Sequence, residues 1–131
     1  PRPEPRRAHD RIRRVISDKL NLSQEQEEQY MELATEHAML MRKLGDEQKE
    51  VVTSYLDMLN REHLDSAEMN LLLERHRSLE TTKLTATYTH FAELKDLCTD
   101  QQKESFDLVL NDIKRVLIGS GKKGPPPPRD F

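Results

Sequence analysis

The sequence predicts an all-α fold, a four-helix hook dominated by one long antiparallel helical hairpin. Three observations carry this. Apolar residues recur at steps of three and four from Ile12 to Leu117. All seven prolines lie within residues 1–5 and 125–128, so the stretch between them lacks the strongest helix breaker. A helix-start signature, a capping residue followed three positions later by Gln or Glu, occurs at Ser23/Gln26, Asp65/Glu68 and Thr99/Gln102.

The elements follow in order. Residues 1–7 read as an extended basic arm and 8–118 as the helical hook domain. A first helix over about 8–20 places Ile12, Val15, Ile16 and Leu20 on one face, and Asn21-Leu22 break it. Ser23 caps a second helix. Its stripe passes through Tyr30, Leu33, His37, Met41, Leu44, Val51, Tyr55 and Met58. Gly45-Asp46 interrupts the composition, but the stripe keeps its phase across it. One helix over 24–61 is therefore predicted, roughly 57 Å long. Arg61–Leu64 form the bend, and a return helix over 66–97 carries Met69, Leu72, Leu79, Leu84, Tyr88, Phe91 and Leu94. A last helix over 99–118 is lined by Phe106, Val109, Ile113 and Leu117. Residues 119–131 read as a Gly/Pro-rich tail, in which Pro125–Pro128 are an extended polyproline segment.

Composition narrows the function. Apolar and charged residues each make up 34% of the chain, too few apolar groups for a thick globular core and the balance expected of elongated amphipathic helices. The net charge of −3 divides unevenly, +4 over residues 1–20 and +2 over 120–131, which leaves an acidic middle. An acidic body without aromatic interleaving argues against nucleic acid, whose phosphates want a continuous basic face. The basic N-terminal arm suits proximity to an anionic membrane surface. No stretch reaches the roughly 20 apolar residues that span a bilayer. The chain begins with Pro1 and not Met, which predicts that something upstream was removed: by a signal peptidase, by truncation of an anchor or by cloning. No nucleophile–base arrangement, phosphate loop or catalytic carboxylate pair is recognisable, so a non-enzymatic protein is predicted.

Each candidate site also has a plainer reading. His37 and Met41 share a helix face, and a bend near residues 63–64 sets position 37 level with His90, with Glu93 one turn on. His37, Met41, His90 and Glu93 thus form a candidate metal cluster for nickel, cobalt, zinc or copper; otherwise His37 is an amphipathic core residue and the rest are surface. His76 with Glu80 and His9 with Asp10 are weaker pairs. Cys98 precedes a helix N-terminus, where a thiol is either activated or a small apolar filler. Met31, Tyr55, Tyr88 and Phe91 outline an adaptable client surface, or simply core. A wide apolar face on a two-helix hairpin predicts a two-fold homodimer.

Leu22-Ser23-Gln24-Glu25-Gln26 and Cys98-Thr99-Asp100-Gln101-Gln102 are the same device used twice, each with an aromatic seven residues after the cap (Tyr30, Phe106). Over about residues 8–118 this resembles the LTxxQ-motif periplasmic stress proteins: the spheroplast-protein-Y-like chaperones, the zinc-resistance-associated protein and the cobalt–nickel resistance sensors. Ser23 stands for the first Thr and Cys98 for the second Leu. The resemblance implies a periplasmic four-helix hook, soluble or N-terminally anchored, that is dimeric and either holds unfolded clients, serves an envelope signalling partner or senses heavy metal. In the family's register Arg13, Ser17, Ala34, Thr89 and Glu93 fall at or near the sensors' ligand positions, so that metal site is not reproduced. A third reading is a helical adaptor that offers Pro125–Pro128 as a polyproline ligand.

Overall fold

A computed structural model describes residues 5–119, with side chains from residue 11 onward. Among the described residues there are five α-helices, one short 3-10 turn and no strand: α1 (Pro5–Leu20), α2 (Gln24–Asp57), α3 (Ser66–Leu97), α4 (Asp100–Glu104) and α5 (Phe106–Ile118). The all-α prediction is met. Helix α1 begins three residues earlier than expected. Proline suits a first helical turn, where its missing N–H has no partner to lose. Residues 5–7 are thus helix and not extended arm; residues 1–4 and the tail beyond 119 lie outside the described residues.

Helix α1 ends in a Schellman motif. Leu22 N–H reaches Ser17 O at 3.1 Å and Asn21 N–H reaches Asp18 O at 3.1 Å. Asn21 supplies the left-handed residue this closure needs, at φ 55°. Helix α2 runs unbroken through Gly45, as the phase of its stripe implies, and is roughly 51 Å long. It ends earlier than expected, because Met58–Asn60 tighten into a 3-10 turn closed by Arg61 N–H on Met58 O at 3.1 Å. The expected last helix is interrupted at Ser105, whose N–H bonds Gln102 O in the tighter i−3 pattern at 3.0 Å.

The chain forms two compact units, residues 1–27 with 98–131, and residues 28–97. In the first, α1 packs on α5. Ile16, Leu20, Phe106, Val109 and Ile113 are buried there. Asp112, buried on α5, accepts from Lys19 Nζ at 2.7 Å and Arg115 Nη1 at 2.9 Å. The Lys19 hydrogen bond, then its charge, with Arg115 behind it, holds the Asp112 carboxyl below its ordinary pKa.

Both S/T-x-x-Q motifs close as reciprocal capping boxes. Gln26 N–H reaches Ser23 Oγ at 3.2 Å while Ser23 N–H reaches Gln26 Oε1 at 2.8 Å. Thr99 and Gln102 repeat this at the same two distances. The motifs then meet. Gln26 Nε2 donates to Gln102 Oε1 at 2.8 Å, Gln102 Nε2 donates to Gln26 Oε1 at 3.0 Å, and Gln102 Nε2 also reaches Asn21 O at 3.1 Å. The repeat is a clasp that joins the two chain segments of this unit. Gln102→Ala removes the side-chain half of the capping box, the acceptor for Thr99 N–H, together with the cross-segment bonds, and leaves the Thr99 hydroxyl on the backbone N–H of residue 102. Unfolding in urea should show a loss of about 1–3 kcal/mol. Ser23→Ala, which removes one acceptor, should cost about 1 kcal/mol. Equal losses from the two variants would show that the glutamine clasp contributes nothing.

The second unit consists of the greater part of α2 together with α3. Contacts climb one helix as they descend the other: Tyr30 lies by His90, His37 by Thr87, Gln48 by Glu80 and Lys83, and Glu47 by Arg75. The two helices are antiparallel. Leu44, Val51 and Leu79 form a buried cluster, with Met41 and Leu72 packed against it. At the start of α3 the third box is half formed. Glu68 N–H reaches Asp65 Oδ1 at 3.2 Å, but the Glu68 carboxylate turns to the Arg61 guanidinium, gripping it by both oxygens.

Candidate functional site

The sequence register brings His37 on α2 level with His90 on α3, and the structure sets the two imidazoles face to face. Their centroids are 4.5 Å apart and their planes 9° from parallel. Tyr30 extends the stack at 6.0 Å, and Phe91 closes on His90 at 4.7 Å with a 57° tilt. His90 is buried. Loss of water, and secondarily the neighbouring His37, lowers its pKa to about 4. His90 is therefore neutral at pH 7.

Thr87, which sequence reasoning passed over, fixes the partner ring. Its hydroxyl donates to Lys83 O at 2.9 Å, so its oxygen is left to accept from His37 Nε2 at 3.2 Å. That assigns the proton to Nε2 and leaves Nδ1 as the only lone pair on His37. The signal was present: Thr87 sits one turn before His90 on the same face.

The four expected metal ligands are only partly gathered. His37, His90 and Glu93 line one shallow groove of about 290 Å³, together with Glu36, Thr82 and Thr89. Met41 does not join them, because its apolar side chain packs against the Leu44–Val51–Leu79 cluster. Imidazole lone pairs lie in the ring plane, so two nearly parallel stacked rings do not aim at a common point. Among the described residues no group of three or more His, Cys, Asp or Glu side chains is arranged to hold a metal ion. The expected four-ligand cluster is corrected to a stacked histidine pair beside Glu93.

The weaker candidates resolve individually. Glu80 accepts from Gln48 Nε2 at 2.6 Å across the helices. Cys98 is buried, and burial pushes its thiol pKa up, opposite to activation. The side chains of His9 and Asp10 lie outside the described residues. Of the expected client surface, Met31 and Tyr88 are 50% and 77% exposed, whereas Tyr55 and Phe91 are half-buried. Leu84, which the periodicity places on the apolar face of the return helix, is 72% exposed, as is Leu71, and both add apolar area. No helix among the described residues is long and apolar enough to cross a membrane. Compared with known protein families, curated proteins and solved structures, the chain matches none.

Proposed function

We propose that this chain is a non-enzymatic helical binding protein of the periplasm, an envelope- or metal-stress accessory that holds unfolded clients on an apolar helical surface. The observation that carries the reading is the exposure of large apolar side chains on rigid helices: Met31, Val52, Leu56, Leu84 and Tyr88 all stand in solvent. A patch of this kind marks an interaction surface, and methionine adapts to varied partners. The twin capping motifs, and their resemblance to the LTxxQ pattern, support placing it among stress proteins. The test is light scattering from a chemically denatured client diluted into buffer with the protein. The protein should suppress aggregation, and Met31→Gln should weaken the suppression several-fold. Scattering unchanged by a several-fold excess of the protein would remove the reading.

A metal-sensing function is the second reading, favoured by the meeting of His37 and His90 across two helices. A divalent or Cu(I) ion would need at least one ring to rotate out of the stack, because the in-plane lone pairs of two near-parallel rings do not converge on one point. Calorimetric titration with nickel, cobalt, zinc and copper should then give stoichiometric heat that His37→Ala removes and His76→Ala leaves. Absence of heat with all four ends this reading and leaves the binding protein.

A further inference from the structure

The groove beside the stacked histidines is apolar along its floor and acidic at its rims. Leu33 and Leu40 of α2 and Ala86 of α3 line it, between Glu36 on one helix and Glu93 on the other. Thr82, Thr85 and Thr89 add their methyl groups. Leu40 is 39% exposed, so the apolar lining is open to solvent. Both carboxylates are exposed as well. Among the described residues Glu47, Glu68, Glu74 and Asp112 stand in ion pairs, whereas Glu36 and Glu93 do not. Glu32 and Asp96, also exposed, lie one turn beyond them in the same direction, because the helices are antiparallel. No Lys or Arg occurs from residue 20 to residue 41. On α3 the one base among residues 82–93 is Lys83, whose Nζ donates to Gln48 Oε1 at 2.9 Å, nearer the bend.

We infer that this groove takes a basic, apolar segment of a bound protein, an Arg or Lys next to an aliphatic residue, with the base held by Glu36 or Glu93. Shape and charge together name the occupant. Small-molecule sites enclose roughly 300–1,000 Å³ and cover most of their ligand. A shallow groove of about 290 Å³ instead accommodates a side chain or two of a longer chain. Arg and Lys carry aliphatic stems that lie along apolar surface while the charged head reaches out. Leu33, Leu40 and Ala86 receive the stem, and a carboxylate stands at either rim for the head. A guanidinium fork meets a carboxylate with two parallel bonds. The rest of the hairpin reinforces the choice. Residues 28–97 hold fourteen acids against eight bases, so a basic segment is drawn in and an acidic one repelled. The inference rests on the client reading and names the segments that a client presents. Its groove is separate from Met31, Leu84 and Tyr88, none of which lines it.

Fluorescence anisotropy of two short labelled peptides with the full chain tests this, one peptide built of Arg, Leu and Ser and the other with Glu in place of each Arg. The Arg peptide should bind, more weakly as salt is raised, and the Glu peptide should not. Glu36→Gln together with Glu93→Gln should weaken binding of the Arg peptide about five- to tenfold. Leu40→Ser should weaken it as well. The helical circular dichroism should be unchanged in both variants, since all three side chains are exposed. Glu62→Gln together with Glu74→Gln removes the same charge nearer the bend, away from the groove, and should bind as the unaltered chain does. Failure of the Arg peptide to bind overturns the inference, as does equal binding of both peptides or an equal loss from the two double variants. Aggregation of a client is read separately. Suppression without preference for the Arg peptide sinks the groove alone. Arg-peptide binding that depends on Glu36 and Glu93, without suppression, sinks the client reading alone.

Discussion

Leu20→Ala is expected to lower the unfolding free energy by about 2–5 kcal/mol, the range for truncating a fully buried leucine. Leu20 is the last residue of α1 and is 1% exposed. It belongs to the unit in which α1 packs on α5, and the Schellman closure at Asn21 fixes where it points. Truncation removes the transfer free energy of its methyl groups. It also leaves a void that helices pinned by the Lys19–Asp112 ion pair cannot readily close. Leu71→Ala is the comparison: at 72% exposure it should change stability by about 0.5 kcal/mol or less. Urea unfolding followed by circular dichroism reads both. Similar midpoints for the two variants would refute the packing of the first unit.

Acidification gives the second large effect. His90 titrates at about 4 in the folded chain because it is buried against His37, while an unfolded histidine titrates near 6.5. Between these values the unfolded chain binds the extra proton. The stabilisation is fully present above about pH 6.5 and is lost progressively as pH falls toward 4. At roughly 1.36 kcal/mol per pH unit the gap is worth about 3 kcal/mol. His90→Phe keeps an aromatic ring in the stack and removes the titration. The unaltered chain should therefore lose about 3 kcal/mol more than His90→Phe between pH 7 and pH 4, whatever the carboxylates contribute to both. Parallel stability curves for the two proteins across that range would show that His90 is not buried as a neutral ring.

The local elements were legible in the sequence because their causes are local. The three-four periodicity gave α2 and α3, and the serine, threonine and aspartate caps placed their starts within a residue or two. Even the level pairing of His37 with His90 followed from counting back from the bend, since a rise of 1.5 Å per residue is the same on both helices. Gly45 was correctly passed over as a break, because stripe phase outweighs one residue's propensity across a 34-residue helix.

What tertiary structure decided was the direction of side chains once two surfaces met. Periodicity placed Met41 on the face of His37, but a thioether is apolar, and the Leu44–Val51–Leu79 cluster took it. Glu68 stood at the spacing of a capping box, and the fixed fork of the Arg61 guanidinium drew its carboxylate away. Gln26 and Gln102 were each readable as caps; that two amides 76 positions apart would also bond each other depended on how their helices came together. Which apolar residues remain in solvent was settled the same way. A stripe names a face, but only the partner helix fixes how much of that face is covered. On α2 and α3 the covered arc is narrow, and Met31, Leu84 and Tyr88 fall outside it.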